Sequence, residues 1–487
     1  MTRTASAKKI GSKLPGLVLG PLLGAVIFAL FRPEGLPMEA TYVAAIATWM
    51  AVWWATEATN VAVTAFLPLV TFPLYGVSGM QETAASYAHP IVYLFMGGFL
   101  MALAIEKSGL HQRAALKVFQ IAGTNAGAIV GGFMLAAASI SMWVSNTSTT
   151  LMMLPIAMSV VYVVRESMSE LSEKAIGNFE VSVFLGLAYG ATMGGVSTLV
   201  GTPPNAFMAG FMQSTYDIEI DFARWMMIGV PLTIFMLPLV WFVLVKVLFP
   251  VQFEGSQRIK THLDTKRKEL GSWTKAEVRT GLLFAMLVFG WLFRGKIADL
   301  TGAAELSDAA IAMSAGVLAF LIPNGRPAET LISWEDTKRL PWGVLILFGG
   351  GLALAGAMTS SGLTLWLGQL LAPLGTIHIA LLVIAACALV IFLTELTSNL
   401  ATTATFLPVM GALAVETGND PLLFVIPVTL AASFAFMLPV ATPPNAIVFS
   451  SGRVSIPKMM RAGLVLNLAG VVIVTLVTLT VVPSVFG

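Results

Sequence analysis

Charged residues are scarce in this sequence, and that shortage excludes a water-soluble fold. Only 11% of the 487 residues are Asp, Glu, Lys or Arg, whereas soluble domains carry roughly 25%. Hydrophobic residues make up 57% of the chain, and the mean hydropathy is +0.86. The sequence therefore predicts an all-α, polytopic membrane protein in which residues 1–487 form a single membrane domain. The net charge of +2 is small and evenly spread, so nucleic acid is not an expected partner.

Residues that commonly perform catalysis are also few. The single cysteine, Cys387, excludes an internal disulfide, and the chain has four histidines and no HExxH zinc motif. A serine or threonine nucleophile needs a neighbouring base, and no histidine lies in the polar segments described below. We therefore predict that the protein is not an enzyme.

Long apolar runs are what the sequence has in abundance. A helix needs about 20 apolar residues to cross the hydrocarbon of a bilayer, and this rule predicts about eleven transmembrane helices. The first follows a basic tail and lacks a small-residue cleavage site, so we expect a retained extra helix rather than a signal peptide. The predicted spans are 14–31, 39–56, 58–75, 90–106, 180–212, 227–249, 279–296, 308–323, 342–357, 421–450 and 462–485.

Two further apolar segments, 125–164 and 378–412, are interrupted by polar residues. The interruptions read "WVSNTSTTLMMLP" from Trp143 and "LTSNLATTATFLP" from Leu396. Each segment predicts a re-entrant helical hairpin that enters and leaves by the same side, with the polar residues at its tip.

The distribution of Lys and Arg gives an orientation. With the N-terminus in the cytoplasm, the basic loops at 107–117, 165–174 and 258–279 and the positions 338, 339, 453, 458 and 461 all fall inside. The acidic loop "YDIEIDFARW" falls outside, and Arg294 and Lys296 are the main exceptions. The pattern predicts a multi-pass protein of the cytoplasmic (inner) membrane.

The chain contains an internal repeat. "LFMGGFLMALAIEKSGL" from Leu94 matches "LFGGGLALAGAMTSSGL" from Leu347, an offset of 253 positions that also separates Ser145 from Ser398. The repeats cover approximately 39–250 and 279–487, and each holds an odd number of spans, so we expect them to be inverted relative to each other. Inverted repeats with interrupted helices are typical of secondary transporters, whose sites lie where the repeats meet.

A second motif pair marks breaks within spans. "GTPPNA" from Gly201 is matched by "ATPPNA" from Ala441. Two consecutive prolines remove two backbone N–H donors and open the helix, which frees carbonyl oxygens suited to a sodium ion. Asn205 is expected to supply a side-chain oxygen or to cap the restarted helix, and the N-termini of the restarted helices favour an anion.

These motifs resemble the divalent anion/sodium symporter family, the INDY-like dicarboxylate and citrate transporters. The match extends over nearly the whole chain, from "WWATEATNVAVTAFLP" through both tips and both breaks. The resemblance implies a homodimer that works by an elevator mechanism, and it implies two sodium sites and one substrate site. The first sodium site would use Ser141, Ser145, Asn146 and the carbonyl of Gly201. The second would use Thr394, Thr397, Asn399 and the carbonyl of Ala441. The substrate carboxylates would bind Ser145, Asn146, Thr147, Ser398 and Asn399, with Pro204 and Pro444 nearby.

One position departs from the family pattern. The usual second tip reads Ser-Asn-Thr, but this chain has Leu400 in place of the threonine. A hydroxyl is thereby lost from the expected carboxylate site, so we expect Leu400 to influence the choice of substrate.

Neither tip contains a basic residue. A dianion brought to mid-membrane without Arg or Lys needs bound cations and helix dipoles to offset its charge. We therefore predict a sodium-coupled symporter that imports a C4-dicarboxylate such as succinate, malate or fumarate. The alternatives are a sodium-independent dicarboxylate exchanger and a symporter for citrate or sulfate on the same fold. A channel is disfavoured, because duplicated closed tips suit alternating access better than a continuous pore.

Two acidic residues complete the set of candidates. Glu395 lies within the second hairpin, where an ionisable group is a functional candidate, although holding the hairpin by hydrogen bonds is an equally good role. Glu57 lies near a predicted cytoplasmic helix end, where a structural role is favoured.

Overall fold

The computed structural model describes residues 2–33, 35–167, 170–250, 253 and 257–486. The described residues form helices joined by loops, with an isolated backbone bridge between Pro323 and Thr330. This agrees with the predicted all-α class.

The first half of the chain supplies α1 to α12. Their bounds are α1 (Thr2–Leu30), α2 (Met38–Ala55), α3 (Val61–Thr64), α4 (Leu67–Tyr75), α5 (Met80–Ala85), α6 (Pro90–Ser108), α7 (Leu110–Ala122), α8 (Ala126–Ser141), α9 (Asn146–Ser167), α10 (Glu173–Val196), α11 (Pro203–Tyr216) and α12 (Phe222–Phe242), which a π-helical segment (Val243–Leu248) extends.

The second half supplies α13 to α24. Their bounds are α13 (Gln257–Glu269), α14 (Lys275–Leu292), α15 (Arg294–Thr301), α16 (Asp308–Leu321), α17 (Trp342–Ser360), α18 (Leu363–Leu371), α19 (Ile379–Thr394), α20 (Asn399–Glu416), α21 (Leu422–Ala432), α22 (Pro443–Ser450), α23 (Ile456–Thr480) and α24 (Val482–Phe486), with 3-10 turns at Ser86–Ala88, Trp334–Arg339 and Ala372–Thr376.

Both polar interruptions end a helix. The pair α8 and α9 is separated by a short tip, Met142–Ser145, and the pair α19 and α20 by a tip at the matching positions, Glu395–Ser398. Each helix of the second pair begins 253 positions after its counterpart, and Gly109 and Gly362, also 253 apart, share one left-handed conformation (φ 79°, ψ 4°). The interruption of both segments is confirmed. Their entry and exit on one side of a membrane stay a prediction.

Two predicted spans are less continuous than the sequence suggested, and a third begins earlier. The run 58–75 divides at residues 65–66 into α3 and α4, because Pro68 lies in the first turn of a new helix and the Ala65 carbonyl accepts from the Tyr87 hydroxyl. The run 279–296 ends at Leu292, where the chain bends by 83° into α15. The first helix begins at Thr2 rather than near residue 14, while the side chains of residues 3–13 lie outside the described part.

The number of crossings is not fixed by helix length. Among the described residues, six helices are long and apolar enough to cross a membrane, or seven if α14 and α15 count as one span. Six further apolar helices have 10–17 residues. The protein is thus a multi-pass membrane protein, and the figure of eleven crossings stays a prediction.

Ion pairs show which loops share a side. Arg113 of α7 contacts Glu277 at 2.8 Å, and Lys107 contacts Asp336 at 2.6 Å, so three loops predicted inside lie together. Burial alone raises the pKa of Asp336, but hydrogen bonds from Lys107 and Ser333 outweigh it and lower the pKa below its ordinary value.

The main exception to the positive-inside pattern also has a partner. Arg294 pairs with Glu219 of the acidic loop at 2.7 Å and with Asp308 at 3.5 Å. Its position beside that loop agrees with its predicted side, and the two carboxylates compensate its charge.

Glycines of α10 allow α8 of the first hairpin to pack closely against α10. Gly186, Gly190 and Gly194 lie four residues apart on one face, and a Cβ at any of them would contact Met134 or Ala138 of α8. A Cβ at Gly190 would lie 2.7 Å from the Met134 carbonyl, so α8 can approach this near only because the side chain is absent. This packing holds the tip of the hairpin against the end of α10, where the helix breaks.

Candidate functional site

The two tips and the two breaks surround one cavity of about 920 Å³. Among its described lining residues are all seven predicted substrate contacts. They are Ser145, Asn146, Thr147, Pro204, Ser398, Asn399 and Pro444. The predicted sodium ligands Gly201, Thr397 and Ala441 line it as well. Residues up to 299 positions apart in the chain therefore meet at one place, as the duplicated motifs predicted.

The same hydrogen bond organises both tips. The hydroxyl of Ser141 donates to Asn146 Oδ1 at 2.5 Å, and the hydroxyl of Thr394 donates to Asn399 Oδ1 at 2.8 Å. Ser141 and Thr394 are fully buried and lie behind the asparagines rather than on the cavity wall. Each tip thus presents an asparagine oxygen with a hydroxyl oxygen beside it. Two oxygens so placed are suitable ligands for a hard cation.

Two other predicted ligands use their hydroxyls locally. Ser145 Oγ accepts from the Ser148 backbone N–H at 3.2 Å and so caps the first turn of α9. Thr397 Oγ1 lies 3.0 Å from the Leu393 carbonyl and 2.6 Å from Thr402 Oγ1. Asn146, Thr147, Ser398 and Asn399 line the cavity as well, and among the described residues the hydroxyls of Thr147 and Ser398 have no hydrogen-bond partner.

Gly195 makes room for the first asparagine. A Cβ at this position would lie 2.5 Å from Asn146 Oδ1 and 3.0 Å from its Nδ2, and its nearest three contacts would all be atoms of that amide. The glycine is needed because the amide of the tip lies against the backbone of the broken helix.

The asparagine of each break closes the preceding helix end. Asn205 Nδ2 donates to the carbonyls of Gly195, Val196 and Thr198, the last at 2.8 Å. Asn445 Nδ2 donates to Ala435 and Leu438 at 3.1 and 3.0 Å. The amide nitrogen of Asn205 thus satisfies carbonyls at the end of the preceding helix, while its Oδ1 is buried without a hydrogen-bond partner among the described residues, so the expectation that Asn205 supplies an oxygen stays a prediction.

This bonding leaves particular carbonyls available. Within the described residues of the two breaks, no hydrogen bond to the carbonyl of Gly201 or Ala441 is found, whereas those of Thr198 and Leu438 are each satisfied twice. Buried carbonyls seldom stay unpaired. The carbonyls of Gly201 and Ala441 are among the break carbonyls without a hydrogen bond, and they are the two that the family resemblance assigns to sodium.

Four helix N-termini meet at the cavity. Residues of the first turns of α9, α11, α20 and α22 all line it. The N-cap residue Ser398 forms no side-chain cap, so first-turn N–H groups of α20 stay free for a ligand, whereas the first two residues of α11 and of α22 are prolines and have no N–H to offer. Partial positive charge from four helix ends favours an anion at the centre of the cavity.

Position 400 lies at this centre. Leu400 is the second residue of α20, lines the cavity and is 5% exposed, while Thr147 holds the same place in α9. The two restarted hairpin helices therefore present different groups to a ligand, one apolar and one hydroxyl.

Three charged residues also line the cavity. Glu57, Glu106 and Arg339 line it, and Arg339 forms an ion pair with Glu106. Glu57 adopts a left-handed conformation with φ of 46°, which is uncommon for a residue with a side chain. Glu57 is exposed and lines the cavity, and the structural role expected for it stays a prediction.

Glu395 accepts hydrogen bonds from the backbone of the second break. Its carboxylate is 3% exposed and accepts from the backbone N–H groups of Phe436, Met437 and Leu438 at 2.8, 2.8 and 3.0 Å. Asn467 Nδ2 donates to it at 2.7 Å. Of the two roles considered for Glu395, the structure supports the holding of the hairpin against the break.

Comparisons with known proteins agree with this geometry. The model of the family described as "Sodium:sulfate symporter transmembrane region" matches residues 12–485. The chain is 41% identical over 479 residues to the sodium-dependent dicarboxylate transporter SdcS of Staphylococcus saprophyticus, covering 98% of this chain and 92% of that protein. It is 39% identical over 481 residues to the transporter of the same name from Staphylococcus aureus strain bovine RF122, with the same coverage.

A solved structure resembles the fold alone. The YdaH transporter of Alcanivorax borkumensis aligns with a TM-score of 0.53 and 15% identity, over 83% of this chain and 89% of that one. The named relatives are transporters, which confirms the prediction that the protein is not an enzyme. By its match over nearly its whole length, the chain belongs to the divalent anion/sodium symporter family of membrane transporters.

Proposed function

We propose that this protein is a symporter of the cytoplasmic membrane that couples sodium entry to the import of a C4-dicarboxylate such as succinate, malate or fumarate. The observation that carries the proposal is the meeting of two asparagine tips, two unpaired break carbonyls and four helix N-termini at one cavity. The asparagine and carbonyl oxygens would bind the sodium ions, and the helix N-termini would bind the dicarboxylate. The names of the two SdcS relatives support the same substrate class and the same ion.

Charge balance favours symport. The only formal charges among the described cavity-lining residues are Glu57, Glu106 and Arg339, and none of them belongs to a tip. A dicarboxylate between the tips would have no cationic side chain beside it there, and uncompensated charge in this environment costs several kcal/mol. Two sodium ions, one at each tip, would offset the charge of the dianion.

The remaining parts of the proposal concern the assembly and its motion. We propose inverted repeats at approximately 39–250 and 279–487, a homodimer, a cytoplasmic N-terminus and elevator-type movement of the site. The cavity extends to Arg339, one of the positions predicted on the cytoplasmic side, and to Glu106, which directly precedes the predicted cytoplasmic loop 107–117. The present structure would therefore hold the site open toward the cytoplasm.

Uptake of labelled succinate into proteoliposomes tests the proposal. We expect uptake to fall to background when external sodium is replaced by potassium or choline. Uptake that is unchanged by the replacement would instead support the sodium-independent exchanger.

A substitution at Leu400 tests substrate choice. Leu400→Thr restores a hydroxyl beside the ligand and is expected to change the ratio of kcat/KM for citrate to that for succinate by about tenfold, the size of one hydrogen bond to a charged group. Leu413→Thr is the matched control, since Leu413 lies on the same helix, is also 5% exposed and does not line the cavity. An unchanged ratio in Leu400→Thr would show that the side chain at this position does not contact the substrate.

A further inference from the structure

The two breaks are held by different bonds. In the first, Thr198 Oγ1 donates to the Met142 carbonyl of the tip at 2.6 Å and accepts from the Gly201 N–H at 3.0 Å. In the second, Leu438 stands at the position of Thr198 and Glu395 at that of Met142. Here the backbone N–H of the break donates to a side chain of the tip. The same two positions are joined in both halves, and the break residue donates each time: through its side chain to a backbone carbonyl in the first half, and through its backbone N–H to a side chain in the second.

The two breaks also differ in which repeat supplies the side chains that bond them. Every side chain that bonds the described first break lies between residues 142 and 233, within the first repeat. The second break instead receives a bond from the opposite repeat. Tyr189 of α10 donates its hydroxyl to the Phe436 carbonyl at 2.8 Å, and its ring packs edge-on against that of Phe436 at 5.0 Å between centroids.

The segment that Tyr189 contacts is not helical. Residues 433–442 lie between α21 and α22. Both backbone groups of Phe436 form hydrogen bonds to side chains: its N–H donates to Glu395, and its carbonyl accepts from Tyr189. Two residues on, Leu438 closes a turn by accepting from the Ala441 N–H at 3.2 Å. The orientation of the Ala441 carbonyl, the candidate sodium ligand, therefore depends on how firmly Phe436 is held.

We infer that Tyr189 is a positioning residue through which the first repeat sets the geometry of the second sodium site. The inference rests on the proposed function. Tyr189 is fully buried and does not line the cavity, so it acts on the ion through the break and not by contact. Without its hydroxyl, the ion would have to order residues 433–442 as it binds, and that ordering weakens binding.

Tyr189→Phe tests the inference. We expect the sodium concentration for half-maximal succinate uptake to rise about fivefold, the size of one ordinary hydrogen bond. At saturating sodium, kcat and the KM for succinate are expected to stay within twofold of wild type. The sodium-induced increase in melting temperature should shrink, a change that a merely structural role would not produce because it would lower the melting temperature equally with and without sodium.

Tyr216→Phe is the matched control. The Tyr216 hydroxyl is buried and has no hydrogen-bond partner among the described residues, so its removal breaks no bond. We expect wild-type sodium dependence in this variant.

A folded Tyr189→Phe protein with an unchanged sodium requirement would overturn the inference, as would a loss confined to kcat. If that variant does not fold, Asn467→Ser removes the amide that donates to Glu395 Oε1, the oxygen that also holds the Phe436 N–H. Loosening Phe436 in this way should also raise the sodium requirement, and an unchanged requirement would overturn the inference. Sodium-independent uptake by the wild-type protein would refute the proposed function instead, so the two failures are distinguishable.

Discussion

Asn146→Ala and Asn399→Ala are each expected to reduce sodium-driven succinate uptake by at least about 100-fold. Each asparagine presents its Oδ1 to the cavity region with a buried hydroxyl beside it, Ser141 in one tip and Thr394 in the other. An alanine removes both the oxygen offered to the cation and the amide N–H groups offered to the substrate. Interactions with charged groups contribute roughly 1.5–3 kcal/mol each, so the loss of two accounts for this magnitude.

Uptake into proteoliposomes, with size-exclusion profiles to confirm folding, checks this prediction. Asn178→Ala is the control, because Asn178 lies on α10 with its amide bonded to the Pro250 carbonyl at 3.2 Å, away from the cavity. If both tip variants are folded and keep their activity, the tips are structural elements and the proposed sites are wrong.

Gly195→Ala is expected to raise the sodium concentration for half-maximal uptake more than tenfold while leaving the protein folded. The new Cβ would lie 2.5 Å from Asn146 Oδ1, and side-chain amide atoms are its three nearest contacts. The amide can move away without disturbing the backbone, but it then leaves the cation site. The added methyl group would therefore push the Asn146 amide out of its position as a sodium ligand.

Gly177→Ala provides the comparison for this prediction. Gly177 lies on the same helix, and a Cβ there would meet no atom within 4 Å. Wild-type sodium dependence in both variants would show that the position of the Asn146 amide does not govern cation binding.

The parts of the site that the sequence predicted are those in which polar residues interrupt apolar helices. The two tips and the two Pro-Pro breaks are conspicuous because nothing nearby in the chain would satisfy their polar groups, and their duplication points to one shared site. All seven predicted substrate contacts line the cavity for this reason. Helix continuity was predicted less well, since hydropathy alone gives no sign that Tyr87 bonds the Ala65 carbonyl where α3 ends.

Other parts depend on contacts between distant residues. The pair of Arg339 and Glu106 joins positions 233 apart, and in the sequence Arg339 is only one more basic residue of a loop. Tyr189 carries no signal either, because a single tyrosine in a buried helix is ordinarily part of the core. Its bond to Phe436 spans 247 positions and becomes visible only once the two repeats are packed together.

Coupling between sodium and dicarboxylate is the central claim, and reciprocity gives its most direct test. If the two ligands share one cycle, a gradient of either must drive the other. Proteoliposomes should be given an inward succinate gradient and equal concentrations of radioactive sodium-22 on both sides, with the membrane potential clamped. We predict net accumulation of sodium-22 by the wild-type protein and none by Asn146→Ala or Asn399→Ala. Wild-type uptake of succinate with no accompanying movement of sodium-22 would contradict the account.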